Sequence, residues 1–245
     1  MGGVVELYES GTFEKALGDA IHPGGLSLTK RMAEVLEVDK SHKILDIACG
    51  KGTTAAFLSQ EYGCCVVGID PSHKLISMAQ GEATLITGDA ERLPFKDFSF
   101  DIIVSECSFS LLPKKEASVR EMKRILKAGG KLAITDFFLR GEFSKEYRTQ
   151  AAFATCIAGA MKLDEYLRLF EEAGFEDPYI EDHSSELKKV TGQIFSAYGT
   201  MQNFLANLGN SSIEDWMGMF REGKPGYALI VVTKPLETAY KVRVT

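Results

Sequence analysis

A glycine-rich turn has the residue types of a nucleotide-binding loop. Residues 46–55 read DIACGKGTTA, with small residues at Ala48, Gly50 and Gly52. Small side chains let a backbone come close to a ligand where a helix begins. The two glycines, followed three residues later by Ala55, also fit the relaxed fingerprint of NAD- and FAD-binding proteins. The turn therefore predicts a nucleotide-containing ligand and leaves its identity open.

Asp46 stands directly before this turn, at the end of a predicted strand. A carboxylate there would repel a pyrophosphate at the helix N-terminus, whereas it attracts a ligand that carries an ammonium group. The methionine portion of S-adenosylmethionine has an ammonium group and no phosphate. Asp46 therefore favours S-adenosylmethionine over a dinucleotide. The alternatives are an NAD(P)-binding oxidoreductase and a non-catalytic module that only binds S-adenosylmethionine.

Two further acidic residues end or follow predicted strands. Asp70 ends the second strand, where its carboxylate can accept both ribose hydroxyls, and Pro71 then opens a helix. Asp89 and Ala90 follow the third strand, where a carboxylate suits the amino group of an adenine. These positions support a bound nucleoside.

The elements that position these residues alternate short strands with amphipathic helices from residue 43 onward. This alternation predicts a doubly wound, Rossmann-like α/β sheet of about seven strands. The predicted strands are 43–48, 64–69, 83–87, 99–105, 131–137, 178–182 and 226–233, and the main predicted helices are 27–36, 53–61, 72–80, 116–126 and 162–173.

A long amphipathic helix is predicted over 186–208, because apolar residues recur there every seven positions. It either packs against its own core or forms a dimer. We divide the chain into an N-terminal helical cap (1–39), a cofactor-binding core (40–183 and 224–236) and a helical insertion (184–223).

Composition limits the partners. The formal net charge is −6, which argues against a nucleic-acid substrate, since phosphate binding needs clustered Lys and Arg. The five cysteines form no C-x-x-C pair, and we find neither a signal peptide nor an apolar run of about 20 residues. We expect a cytoplasmic protein, monomeric or homodimeric, that acts on a small molecule without inserting into a membrane.

Four blocks occur in the order typical of one enzyme family: ILDIACGKGT, VVGIDPS, GDAERLPFKDFSFDIIVS and MKRILKAGGKLAITDF. Over residues 40–138 the chain resembles class I S-adenosylmethionine-dependent methyltransferases, and it is most similar to the small-molecule group that includes quinone C-methyltransferases. The resemblance implies methyl transfer to a small molecule, and a thiol, a metalloid such as arsenite, a quinol and an amine stay open as the acceptor. GYALIVVTKP resembles the final antiparallel strand of that family. The family usually has Gly where this chain has Ala48, and we expect binding to survive.

The resemblance implies a role for each motif residue. Asp46, Gly50 and Gly52 would border the methionine portion, Asp70 would hold the ribose, Asp89 and Ala90 the adenine, and Ser105 the methionine side. Glu106 follows the fourth strand and is either a catalytic group at the substrate cleft or a solvated carboxylate.

The N-terminal segment would cover the cofactor in such a family. Tyr8 is a candidate for contact with the positive sulfonium, with a plain lid or core aromatic as the alternative. A turn with Gly24 and Gly25 precedes a helix and can cap it or contact a carboxylate through its backbone.

Cys156 lies in a segment, CIAGA, that resembles the metalloid-binding segment of arsenite methyltransferases. It is either a soft metalloid ligand or a buried small apolar residue. Binding by two thiols would need Cys107, Cys49 or an outside thiol. His183, at the end of the sixth strand, is a candidate base or a surface histidine. No histidine has a metal-ligand pattern, so we predict no zinc or iron site.

Overall fold

The protein is described by a computed structural model covering residues 2–79, 83–147, 152, 155–209 and 212–236. Its strands are β1 Lys43–Ile47, β2 Cys65–Asp70, β3 Thr84–Thr87, β4 Phe100–Glu106, β5 Leu126–Leu139, β6 Met161–Lys162, β7 Glu176–Asp182 and β8 Pro225–Thr233. Its helices are α1 Gly2–Glu9, α2 Thr12–Leu17, α3 Gly25–Val35, α4 Thr53–Tyr62, α5 His73–Ser77, α6 Lys115–Ile125, α7 Leu163–Glu172, α8 Glu186–Tyr198, α9 Met201–Asn207 and α10 Ile213–Gly223.

One mixed sheet organises the chain, in the order β3-β2-β1-β4-β5-β8-β7, and the short β6 pairs with the end of β5. The neighbours from β3 to β5 are parallel, and β8 runs antiparallel to both β5 and β7. This arrangement confirms the predicted Rossmann-like fold with an antiparallel last strand. The sheet has eight strands where we predicted about seven, because β6 is only two residues long and has no pattern of its own.

The central strand β1 positions the glycine turn. Four of its five residues are buried, as expected for a strand covered on both faces. Leu45 and Ile47 pack in the cluster on one face, and Ile44 packs in the cluster on the other. From β1 the chain adds β2 and β3 on one side of the sheet, and it then returns to add β4 and β5 on the other side. In sheets of this kind, ligands bind at the carboxyl ends of the two strands where the direction changes, here β1 and β4.

The predicted helix 186–208 is wrong as a single element. The first observed helix, α8, ends at Tyr198, and Gly199 follows it with a φ of 74° that turns the chain. The second helix, α9, begins after Thr200, whose hydroxyl accepts a hydrogen bond from the Asn203 amide at 3.0 Å. The heptad pattern continued across the break because Ile194 of α8 and Leu205 of α9 both pack against the N-terminal α2. The predicted helix 72–80 is also shorter, ending at Ser77, with residue 80 outside the described range.

Helices α1 and α2 lie over the carboxyl edge of the sheet. Phe13 of α2 stacks on Tyr8 with ring centroids 4.8 Å apart and packs edge-on to Phe204 of α9. The Tyr198 hydroxyl donates to the Thr12 carbonyl at 2.9 Å. The N-terminal cap is therefore joined to α8 and α9 as well as to the core. None of the helices within the described ranges is both long and apolar enough to cross a membrane.

Candidate active site

A cavity opens at the carboxyl ends of β1, β2 and β4, beneath α1. Its lining includes most of the residues that the sequence predicted for the cofactor and the catalytic group: Tyr8, Asp46, Ala48, Gly50, Asp70, Pro71, Asp89, Ala90 and Glu106. These residues come from segments up to 98 positions apart in sequence (106 minus 8). We call this space the cofactor cavity.

The glycine turn reaches the cavity through its backbone. Ala48, Gly50 and Gly52 all have positive φ, at 58°, 55° and 79°. Glycine adopts this conformation freely, whereas Ala48 holds it at a cost on the order of 1 kcal/mol. Gly52 does not line the cavity. A Cβ at this position would stand 2.7 Å from the Leu85 side chain of β3. Gly52 thus serves close packing of the turn against β3.

Asp46 presents an unsatisfied carboxylate oxygen to this region. The residue is 2% exposed, and its Oδ2 has no hydrogen-bond partner within the described part of the chain. Burial, and then the nearby Glu106 and Asp70 carboxylates, raise the pKa of Asp46 well above its ordinary value. A buried carboxylate of this kind is stabilised by a cationic group, which is what the ammonium of S-adenosylmethionine would supply.

Asp70 links β2 to the glycine turn. Its two oxygens accept hydrogen bonds from the amides of Gly50 and Ser72, each at 2.8 Å. Burial raises the pKa of Asp70, and the two backbone amides oppose that shift. Each carboxylate oxygen has a second lone pair, so the oriented group can also accept ribose hydroxyls.

Glu106 is buried, not solvated, and three side chains surround it. Its carboxylate accepts hydrogen bonds from the Thr29 hydroxyl at 3.0 and 3.1 Å and from the Thr54 hydroxyl at 2.6 Å. The His22 Nε2 lies 3.5 Å from Glu106 Oε2 and 3.4 Å from the Thr29 hydroxyl. Sequence reasoning missed His22, Thr29 and Thr54, because no local pattern connects α3 and α4 to the end of β4.

A second cavity lies beside the first, between α3 and the start of α8. This second cavity is lined by Gly24, Gly25 and His183, none of which lines the cofactor cavity. We had predicted that the two glycines contact the cofactor. Gly24 is needed where it is, because φ is 86° and a Cβ would stand 2.7 Å from the Leu28 Cβ. His22 lines both cavities.

His183 and its neighbours form an ion-paired edge of the second cavity. Its Nε2 lies 3.1 Å from Glu181 Oε2, and Arg31 donates to the same carboxylate at 3.1 Å through Nε. The Arg31 guanidinium lowers the pKa of Glu181 to about 2. His183 is therefore oriented by Glu181.

Ser105 is fully buried and stands outside the cofactor cavity lining. Its hydroxyl is 2.7 Å from that of Ser108, which does line the cavity and donates to the Ile47 carbonyl at 3.4 Å. Through Ser108, Ser105 thus connects the end of β4 to the end of β1 outside the cavity lining. We had predicted that Ser105 contacts the methionine portion of the cofactor.

Cys156 is buried at 1% exposure, and the structure brings Cys107 to it. The two sulfur atoms are 3.5 Å apart, and the Cys156 thiol donates to the Cys107 carbonyl at 2.8 Å. The Tyr8 hydroxyl lies 3.5 Å from the Cys156 sulfur. Cys107, Cys156 and Asp136 together form a group of potential metal ligands, and their ligand atoms lie within 4.8 Å of one another. We predicted no metal site from the sequence.

The comparisons with known proteins agree on the fold and the family. Residues 45–134 match the methyltransferase domain family. The methyltransferase GfsG of Streptomyces halstedii is 29% identical, over 89% of this chain and 83% of that protein. The 27-O-demethylrifamycin SV methyltransferase of Amycolatopsis mediterranei is 29% identical, over 93% of this chain and 87% of that protein.

A solved structure gives the same fold. Haemonchus contortus phosphoethanolamine N-methyltransferase 2, in complex with S-adenosyl-L-methionine, has a TM-score of 0.74 at 20% identity, covering 95% of this chain and 57% of that chain. Together the matches confirm the predicted family resemblance, enzyme class and cofactor. They do not favour the alternative of an NAD(P)-binding oxidoreductase.

Proposed function

We propose that this class I S-adenosylmethionine-dependent methyltransferase methylates a hydroxyl group of a small molecule, with His22 as the base. The observation that carries the proposal is the position of His22. It borders both the cofactor cavity and the second cavity, and the Glu106 carboxylate stands 3.5 Å from its Nε2.

The cofactor-side residues fit S-adenosylmethionine. The unsatisfied oxygen of Asp46 would receive the ammonium group, and the Gly50 backbone would border the methionine portion. Asp70 would accept the ribose hydroxyls, and Asp89 would face the adenine. When bound, the cofactor would supply a methyl group on a positively charged sulfur, and a nucleophile would attack the methyl carbon in line with the breaking C–S bond.

The acceptor class follows from the need for a base. A thiol with an ordinary pKa near 8.5 reaches its nucleophilic form with little help, whereas a hydroxyl keeps its proton until a base removes it. With a proton on Nε2, His22 is oriented by Glu106 and Thr29. Its Nδ1 then takes the acceptor proton, and the resulting imidazolium keeps it, donating from Nδ1 to the Pro23 carbonyl 3.3 Å away while the Glu106 carboxylate balances its charge.

The two cavities divide the reaction between them. The second cavity presents Ser27, Glu186, Lys189 and Gln193 together with His22, so its lining suits a polar acceptor. The acceptor would enter from this side and meet the methyl group beside His22. Tyr8 and the two valines of α1 in the lining would exclude water from the cofactor side. The related demethylrifamycin enzyme has a name that denotes an oxygen acceptor, which is consistent with this proposal.

The test is an acceptor panel analysed by mass spectrometry with S-adenosylmethionine present. It contains a phenol, a quinol, an aliphatic alcohol, a thiol, an amine and arsenite. We expect methylation of a hydroxyl compound, and His22→Gln should lower kcat by about 10²- to 10⁴-fold. His42→Gln is the matched control, since His42 pairs with Asp39 before β1.

Two outcomes would contradict the proposal. One is methylation restricted to the thiol, amine or arsenite with kcat unaffected by His22→Gln. The other is the absence of any turnover while S-adenosylmethionine binds tightly, which would indicate a non-catalytic binding module.

A further inference from the structure

We propose that Cys107, Cys156 and Asp136 form a binding site for one thiophilic divalent cation of the Zn²⁺ class. This site is separate from the hydroxyl methylation proposed above and does not depend on it. Its residues come from the loop after β4, from β5 and from the segment before β6. No local sequence pattern joins them.

The spacing of the ligand atoms suits such a cation. Two thiolates on a tetrahedral zinc ion, each at about 2.3 Å, are separated by about 3.8 Å. The Cys107 and Cys156 sulfurs are 3.5 Å apart, and a carboxylate oxygen of Asp136 lies within 4.8 Å of both. A small adjustment of side-chain torsions brings all three onto one ion.

The donor atoms select the class of cation. Two sulfurs and one carboxylate oxygen suit borderline or soft ions, whereas Mg²⁺ and Ca²⁺ require a shell of oxygen ligands. On binding, the two thiols release their protons to solvent and both sulfurs bond to the ion. Two thiolates and one carboxylate then surround a charge of +2.

The surrounding protein holds these ligands in place. The Asp136 carboxylate accepts hydrogen bonds from the Ser110 amide at 2.6 Å and from the Phe137 amide at 2.7 Å, which fixes its orientation. Such outer contacts are typical of metal ligands. Cys107 and Cys156 both have positive φ, 50° and 67°, a conformation that non-glycine residues adopt at a cost. That backbone conformation accompanies the close approach of the two thiols.

The site retains a fourth position. Cys107 lines the cofactor cavity, and the Tyr8 hydroxyl lies 3.5 Å from the Cys156 sulfur. Three protein ligands with an open side are typical of zinc sites that exchange a ligand. The exchangeable position would therefore face the cofactor cavity beside Tyr8.

Cobalt is the probe that tests this site, because Co²⁺ substitutes for Zn²⁺ and is coloured. The full chain, kept reduced, is titrated with Co²⁺. We expect one equivalent to bind, with the visible bands of tetrahedral cobalt and a near-ultraviolet thiolate charge-transfer band, both removed by Zn²⁺. Cys107→Ser and Cys156→Ser should each abolish the charge-transfer band or weaken binding at least about tenfold. Asp136→Asn should weaken binding by a similar factor.

Cys65→Ser is the matched control, because Cys65 is exposed at the start of β2 and should leave the spectrum unchanged. A wild-type chain without a charge-transfer band overturns the proposal, and so does a Cys107→Ser chain that keeps both the wild-type band and the wild-type affinity. Circular dichroism checks that each variant folds. If Cys156→Ser does not fold, X-ray absorption on the zinc-loaded wild type answers the question, since a first shell without sulfur also overturns the proposal.

Discussion

The Asp70 carboxylate accepts a hydrogen bond from the Gly50 amide at 2.8 Å, and this contact joins the end of β2 to the glycine turn after β1. The turn and the ribose site are therefore parts of one structure. A change at Asp70 alters the shape of the turn as well as the contact with the cofactor.

Asp70→Asn should weaken S-adenosylmethionine binding by about 1–3 kcal/mol, which is roughly 5- to 150-fold in Kd. An amide in this place offers one acceptor oxygen where the carboxylate offers two, and its NH₂ group cannot accept from Gly50 or Ser72. Isothermal titration calorimetry measures the change. Asp215→Asn, an exposed position in the first turn of α10, is the control. An unchanged Kd in Asp70→Asn would show that the ribose is held elsewhere.

The pH dependence of cofactor binding tests Asp46. Its pKa is raised in the free protein, and a bound ammonium group would lower it, so affinity should rise with pH as Asp46 loses its proton. Asp46→Asn removes this group, and should bind S-adenosylmethionine about tenfold or more weakly at high pH.

The informative quantity is the ratio of the two Kd values across the pH series. All other carboxylates remain in both proteins, so their contribution to the pH dependence largely cancels in this ratio. The ratio should fall toward one as the solution is made more acidic. A ratio that does not vary with pH would exclude contact between Asp46 and a cationic group.

The Arg31–Glu181 pair should stabilise the fold in a defined pH range. Folding lowers the pKa of Glu181 from 4.5 to about 2, so the unfolded chain takes up a proton before the folded chain does. The contribution is therefore complete above about pH 5 and is lost as the pH falls toward 2. Because the pair is partly exposed, its size should be at most about 1 kcal/mol.

Denaturant unfolding of the wild type and of Arg31→Gln at a series of pH values measures this contribution. The two free energies of unfolding should differ near neutral pH and converge in acid. Arg168→Gln, which removes an exposed ion pair with Asp164 in α7, should show a smaller difference. A difference for Arg31→Gln that grows in acid would contradict the assignment.

The cofactor-binding residues that could be predicted from the sequence are those that lie in short local motifs. The glycine turn, Asp46, Asp70 and Asp89 could be placed because each follows a strand in a motif of a few residues, and parallel strands bring their carboxyl ends together. The helix 186–208 was wrong because its heptad pattern is real on both sides of Gly199, while the backbone turns at that glycine.

The pairs that sequence reasoning missed are distant along the chain. Thr29 and Glu106 are 77 residues apart, and Cys107 and Cys156 are 49 residues apart. His22 is placed beside Glu106 by the packing of the N-terminal cap on the sheet. Neither residue spacing nor periodicity reports such packing, so these contacts required the structure.

Thr29 tests whether the environment of Glu106 matters for catalysis. Its hydroxyl is fully buried and donates to Glu106, and Val has nearly the same shape without the hydroxyl. Thr29→Val leaves the carboxylate with one fewer donor and should lower the free energy of unfolding by about 1–3 kcal/mol. If Glu106 orients His22, kcat should also fall about tenfold or more, while the Kd of S-adenosylmethionine changes little.

A positioning role is distinguished from a structural one by rescue. Thr29→Ser retains the hydroxyl and loses only a methyl group, so it should restore kcat more completely than it restores stability. Thr191→Val, at an exposed position of α8, controls for the substitution itself. Steady-state kinetics with the acceptor identified by the panel, alongside thermal unfolding, provide both readouts. If kcat follows stability through all three variants, Thr29 acts only through packing, and the pairing of Glu106 with His22 would have no part in proton removal.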